Sequence, residues 1–132
     1  MRKIKIFDAT LRDGSHAISH QFSVEMVERY CKCIDKGGVD AIIVGHGNGL
    51  GASSLQVGFS AISDKEMLQA ARDNLHYTKL GAYMIPGFGT IRDDLEPALN
   101  QGVEIFKIGC QCTEADTTRQ HIEWLCNRGI ET

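Results

Sequence analysis

Seven consecutive residues, Val39-Asp40-Ala41-Ile42-Ile43-Val44-Gly45, are almost continuously apolar and rich in β-branched side chains. A strand of that kind has no face for water, so both sides must be covered. That is the condition of a parallel strand packed inside an α/β fold. The flanking sequence supplies the covers. Residues 3–7 alternate charge with Ile4 and Ile6, the pattern of a short first strand. Ser23 is placed as a helix N-cap, with Phe22 before it and Val27 at the fourth helical position. Val24, Val27, Cys31 and Ile34 then recur at helical spacing until Gly37-Gly38 stops the helix. Cys31 and Cys33, two apart on that helix, point to different faces.

The alternation continues. A Gly-rich loop covers residues 46–60, and Ser63-Asp64-Lys65-Glu66 forms a capping box opening a helix to about Leu75. Residues 79–85 read as a third strand closed by Pro86-Gly87. Residues 90–101 read as a helix that starts near Asp94, so that Pro97 falls in its first turn. Residues 103–109 form a fourth strand, and Asp116 caps a last helix through Cys126 with Ile122, Leu125 and Cys126 in the core. Strand and helix alternating four times predict a parallel α/β sheet. An internal repeat agrees: Gly38-Val39-Asp40-Ala41, Gly102-Val103-Glu104-Ile105 and Gly129-Ile130-Glu131-Thr132 share one form. The first two lead into strands. The third stands at Thr132, where a fifth strand is expected, so the sequence reads as cut at the end of a β/α unit.

Composition narrows the function classes. The chain has 132 residues, 42% hydrophobic and 23% charged, an ordinary globular balance. With a net charge of −3 and no basic run, nucleic acid is not an expected partner. The apolar runs fall far short of the roughly 20 residues needed to cross a bilayer. Five Cys without a signal-peptide apolar core suit a reduced, cytoplasmic chain better than a disulfide framework.

The residues that bear chemistry follow strand one directly, as Asp8-Ala9-Thr10-Leu11-Arg12-Asp13-Gly14-Ser15-His16. The C-terminal ends of parallel strands are where active sites lie in such folds. Arg12 offers a permanent cation with bidentate donors, suited to a carboxylate or a developing enolate. Asp13 is a hard oxygen ligand for a divalent ion. His16 can move a proton near neutral pH. A surface turn with an Arg–Asp pair would carry the same residues at little energetic value.

Asp8 to Ala17 resembles the strand-one signature of the metal-dependent pyruvate aldolases, the 4-hydroxy-2-oxovalerate aldolases, of the hydroxymethylglutaryl-CoA lyase-like superfamily. The Arg12-Asp13-Gly14 core is shared across that superfamily, and His16 is the residue by which the aldolases differ from its lyase and synthases. Gly38-Val39-Asp40, His46-Gly47-Asn48-Gly49-Leu50, Ser53-Ser54, Gly58-Phe59, Pro86-Gly87-Phe88-Gly89-Thr90 and Cys112-Thr113-Glu114-Ala115-Asp116 resemble aldolase segments in the same order.

The resemblance implies about four of the eight β/α units of a TIM barrel, with residues 1–132 as an N-terminal half barrel. It implies a divalent-metal-dependent lyase cleaving 4-hydroxy-2-oxovalerate to pyruvate and acetaldehyde. Asp13 would bind the metal, Mn²⁺ or alternatively Mg²⁺ or Co²⁺. Arg12 would bind substrate and steady the enolate, and His16 would take the C4 hydroxyl proton. An acylating acetaldehyde dehydrogenase is the implied partner. The family's His-x-His metal pair and late Tyr have no counterpart here. Ile43 stands where the family usually has Glu, and Asn48 where it has Asp. A half barrel leaves open edges, so self-association is expected. A Claisen-type acyl-CoA synthase or lyase, and a non-catalytic half-barrel module, are the alternatives.

Lesser candidates remain. His46 either faces the site or is held by backbone. The loop over residues 45–51 lacks the Lys-Ser/Thr of a phosphate-binding loop. Cys110-x-Cys112 without a second pair makes a poor zinc site.

Overall fold

A computed structural model describes residues 4–132. Lys3, placed above in the first strand, lies outside the described residues. Four parallel strands form one sheet in chain order: β1 (Phe7–Asp8), β2 (Ala41–Ile43), β3 (Lys79–Met84) and β4 (Ile105–Ile108). Between them run α1 (Val24–Ile34), α2 (Asp64–Arg72) and α3 (Glu96–Asn100), with α4 (Arg119–Cys126) after β4. The strands are shorter at their ends than the sequence pattern suggests. Ile6 still joins the sheet, because its carbonyl accepts from the backbone N–H groups of Asp40 and Ala41.

The helix starts follow their caps. Ser23 Oγ accepts from the Met26 N–H, and Ser63 and Glu66 form the reciprocal capping box. Three expectations need correction. The third helix does not wait until near Asp94. Thr90 caps a π turn over Ile91–Leu95, in which the Leu95 N–H reaches back to the Thr90 carbonyl, and α3 continues from it. Pro97 lacks an N–H, and it lies just where the wider π ladder gives way to the α ladder. Asp116 does not cap α4 either. It lies inside a 3-10 stretch, Cys112–Thr118, and Thr118 precedes α4 without a side-chain capping bond. On α4 itself Leu125 is buried and Ile122 half-buried, but Cys126 is exposed; the second buried residue is His121.

One face of the sheet packs under the helices. Ile42, Val44, Leu80, Ala82, Met84 and Phe106 join Val27, Cys31, Met67, Leu68 and Leu125 in the main core. Each such large side chain contributes roughly 1.5–3 kcal/mol by leaving water. Phe106→Ala would cost about 3–5 kcal/mol through the cavity left behind.

The other face is concave. Lys5, Phe7, Ile43, Lys79, Gly81, Tyr83 and Lys107 lie on it. Glu131 pairs in parallel with Ile105, which places it on a fifth strand position next to β4. Lys5 and Lys79 both reach Glu131, at 2.5 and 3.1 Å. Phe7 is level with Lys79 across the ladder, so continuing the register back sets Lys79 two residues further along its strand than Lys5. Glu131, level with Ile105 and Gly81, lies two residues beyond Lys79 in turn. The side chains that meet therefore climb about one residue per strand and come from the first, third and fifth positions. That is the layering of a (β/α)₈ barrel, whose interior layers draw on alternate strands with a shear of about 8. The sheet is an arc of such a barrel.

Candidate functional site

At the end of β1 the backbone winds tightly. The carbonyl of Ala9 collects the N–H groups of Arg12, Asp13 and Gly14 at 3.0, 2.7 and 3.4 Å. A 3-10 helix, Asp13–Ile18, follows. This turn throws Arg12 across the ends of the neighbouring strands. Its Nη1 donates to the Gly47 carbonyl at 3.0 Å and to Asp13 Oδ1 at 2.9 Å. Its guanidinium stacks on the Tyr83 ring, 4.6 Å from the centroid. Turns after β1 and β2 and a side chain of β3 thus hold one cation, most of whose length is buried. Its Nε is enclosed with no hydrogen-bond partner among the described residues. Tyr83 has this position because Gly109 yields the space: a Cβ there would run into the Tyr83 ring, 2.6 Å from Cε2.

Asp13 is paired with Arg12 but keeps a 67% exposed carboxylate. His16 is exposed, with the Nε2 end of its ring against Gly47, where a Cβ would come within 2.5 Å of Cε1. Arg12 and His16 therefore converge on one glycine. Tyr83 and Asn48 line a neighbouring cavity of about 600 Å³ with Phe88, Cys110, Gln111 and Glu114, while Asp13 opens on a separate hollow of about 320 Å³ with Ala9, Thr10 and Gly14. A larger hollow of about 720 Å³ lies away from Arg12, between residues 86–92 and α4, and holds His121. His121 there donates Nδ1–H to the Thr117 carbonyl.

His46 takes the backbone-held alternative. It is fully buried, its Nδ1 accepts from the Asn48 N–H, and its Nε2–H donates to the Gly58 carbonyl. Those two bonds define the neutral Nε2–H tautomer. Burial lowers its pKa, against the Gly58 carbonyl, which favours the charged form. His20 stacks on it at 3.7 Å and 21°, and meets the His16 ring edge-on at 4.9 Å and 72°. Burial also lowers His20, and the neighbouring His46 and His16 reinforce the effect. Ile43, on the concave face, is buried and leans over Gly81.

The structure thus brings Arg12, Asp13 and His16 to one strand-end site. Among the described residues no three His, Cys, Asp or Glu side chains converge as a metal centre. Cys110 is half-buried beside the cavity, and Cys112 is exposed; both are free thiols. Tyr83, Gly47 and His20 also touch Arg12 or His16, contacts that the sequence reading does not single out. Tyr83 alternates with Gly81 on β3, the one local signal that it faces the concave side.

Comparison with known proteins bears on the family and the fold. Residues 3–128 match the HMGL-like family. A 4-hydroxy-2-oxovalerate aldolase of Salinispora arenicola is 50% identical over 97% of this chain, and one of Serratia proteamaculans is 49% identical over 97%. The chain spans 37% and 38% of the length of those relatives. The N-terminal domain of a Bacteroides vulgatus protein named as an aldolase superposes with a TM-score of 0.76 at 21% identity, over 97% of this chain and 42% of that one. The carboxyl transferase domain of Rhizobium etli pyruvate carboxylase, solved with pyruvate, superposes at 0.68 with 12% identity, over 98% of this chain and 24% of that one. These two likenesses show the fold. The chain belongs to the HMGL-like family.

Proposed function

We propose that this chain carries the Arg12–Asp13–His16 portion of an aldolase site acting on 4-hydroxy-2-oxoacids, with 4-hydroxy-2-oxovalerate yielding pyruvate and acetaldehyde. The observation that carries the reading is Arg12. It is held by Gly47 and Tyr83 at the strand ends with a buried Nε–H left unpartnered, and the Tyr83 ring on which it stacks lines a cavity of about 600 Å³. That size falls in the range of small-molecule sites.

The chemistry follows from the residues. His16 takes the proton of the C4 hydroxyl, the C3–C4 bond breaks, and its electron pair passes into the enolate of pyruvate. The aldehyde leaves, and a proton returned to C3 completes pyruvate. Arg12, already fixed, meets the negative charge that develops on the enolate without having to reorganise. A cation held in a partly water-excluded position is worth more there than in bulk solvent.

Aldolases of this class use a divalent ion, and Mn²⁺ is the proposed metal. The described residues do not make its complete centre. Asp13 offers one hard oxygen, and a working site needs several protein ligands besides open positions. Asp13 is proposed as one ligand of the set. A small 2-oxoacid is the proposed substrate, an acylating acetaldehyde dehydrogenase the proposed partner, and the cytoplasm the proposed location. No described helix is long and apolar enough to cross a membrane.

The test is Mn²⁺-dependent release of pyruvate from 4-hydroxy-2-oxovalerate, with His16→Ala and Arg12→Lys as controls. Pyruvate release that falls by about 100-fold or more in His16→Ala supports the base assignment. Release unchanged in His16→Ala rejects it.

A further inference from the structure

We infer that His20 is a positioning residue for His16, acting through its ring. The inference rests on the reading of His16 as the base and adds how that base is held. His16 is exposed on a short 3-10 helix, and no side-chain hydrogen bond to its ring is present among the described residues. Exposed rings of that kind sample several rotamers. Two contacts restrict it here. Gly47 lies against the Nε2 end of the ring, and the His20 ring stands near-perpendicular to it at 4.9 Å and 72°.

His20 can serve as a wall because it is itself fixed from four sides. Its backbone is in the left-handed region at φ 61°, following Ser19 at φ 52°, which turns the ring back under the 3-10 helix. Its N–H donates to the Ser15 carbonyl at 2.7 Å, and its carbonyl accepts from the Ala61 N–H at 3.1 Å. Ser15 Oγ donates to the Arg12 carbonyl at 2.7 Å. Ser15 Oγ also lies 3.0 Å from His20 Nδ1, a hydrogen bond that ties the ring to the 3-10 helix. Behind it lies His46, fully buried, with both ring nitrogens satisfied by backbone. Gly58 completes the enclosure, since a Cβ there would come 2.9 Å from His20 Cδ2. The stack His46–His20 is thus a rigid support anchored in the loop after β2, and His16 is its outermost ring.

Two variants separate the ring from its hydrogen bond. His20→Asn keeps a residue that tolerates the left-handed region and a hydrogen-bonding partner for Ser15, but removes the ring. His20→Phe keeps a ring and removes the hydrogen bond to Ser15. The measurement is NMR of the chain with labelled histidine, reading His16 side-chain couplings and the cross-peak between the His16 and residue-20 rings. In the unmutated chain a single His16 rotamer with a strong cross-peak is expected. His20→Asn should leave His16 averaging among rotamers, and His20→Phe should restore the single rotamer. Averaging in the unmutated chain overturns the proposal, as does a His16 that stays fixed in His20→Asn or is lost equally in both variants. The unmutated chain decides the matter even where a variant fails to fold. Failure of the underlying reading looks different: the His16 ring is fixed, yet His16→Ala leaves pyruvate release unchanged. With both in place, His20→Asn lowers kcat, by up to about 100-fold for a misplacement near 1 Å, more than it alters KM.

Discussion

Lys5 Nζ lies 2.5 Å from Glu131 Oε1, although 126 positions separate the two residues. The contact spans the concave face from two residues before β1 to the strand position beyond β4. Lys79 Nζ joins it at 3.1 Å from the other carboxylate oxygen. The hydrogen bond from Lys5, then that from Lys79, lowers the Glu131 carboxyl from its ordinary 4.5. The same hydrogen bond raises Lys5 above its ordinary 10.5.

Glu131→Gln should reveal this layer through pH. A carboxyl whose folded pKa is lowered contributes stability that is complete above its unfolded value of 4.5 and is lost as pH falls through the folded value. Urea midpoints of the unmutated and variant chains should differ near neutral pH and converge in acid. Because all three side chains are substantially exposed, raising the salt concentration should shrink the difference. A difference that survives acid and high salt would refute the ion-pair account.

Asp35 offers a stronger case. It is buried at the end of α1 and accepts the N–H groups of His76, Tyr77 and Thr78, each at 2.9 Å. Burial acts to raise its pKa, but the three donors together outweigh it, and the carboxyl lies below its ordinary 3.8. Asp35→Ala should cost about 1–3 kcal/mol, chiefly by leaving the buried Thr78 N–H unpaired. The loss should be full above pH 3.8 and fade as pH falls through the depressed folded value, measured by urea unfolding. A cost below about 0.5 kcal/mol near neutral pH would contradict it.

Gly81 and Ile43 form a steric pair. A Cβ at Gly81 would come 2.5 Å from Ile43 Cδ1. Gly81→Ala alone should destabilise by about 1–3 kcal/mol through overpacking. Ile43→Val removes the offending methyl, so the double variant should recover part of that loss. The check is a double-mutant cycle, where additive costs would show that the two side chains do not interact.

The thiols should react in a fixed order. Cys33, Cys112 and Cys126 are exposed, Cys110 is intermediate and Cys31 is buried. Burial pushes the Cys31 thiol up to about 12, which starves it of thiolate. Under a disulfide-exchange reagent three groups should report quickly and a fourth more slowly. Cys31 should appear only on unfolding. Rapid reaction of Cys31 in the folded chain would contradict its placement.

What could be read from the sequence was what depends on near neighbours. The Ser63–Glu66 capping box, the Ser23 cap and the doubly covered strand around Ile42 are local signals, and each is present in the structure. Arg12, Asp13 and His16 could be singled out because they crowd into one turn. The Arg12–Tyr83 stack could not, because it depends on the register between distant strands. The π turn around Ile91 was hidden by Pro97, which suggests a helix start when it actually marks a change of ladder. Asp116 looks like a cap by residue type, but the chain there runs as a 3-10 stretch kinked at Glu114. His20 gave no sign, since its role depends on a backbone turn at Ser19 that its neighbours do not announce.

The climb from Lys5 through Lys79 to Glu131 also fixes an angle. A stagger of one residue, about 3.3 Å, for each strand spacing of about 4.8 Å inclines the strands by roughly 35° to the axis they surround. Any strand that extends this sheet, at the β1 edge or beside Glu131, must arrive at that slant. A flat or upright strand would miss the ladder after a few residues. The slant of the wall is therefore recorded in where a lysine, a lysine and a glutamate meet at its base.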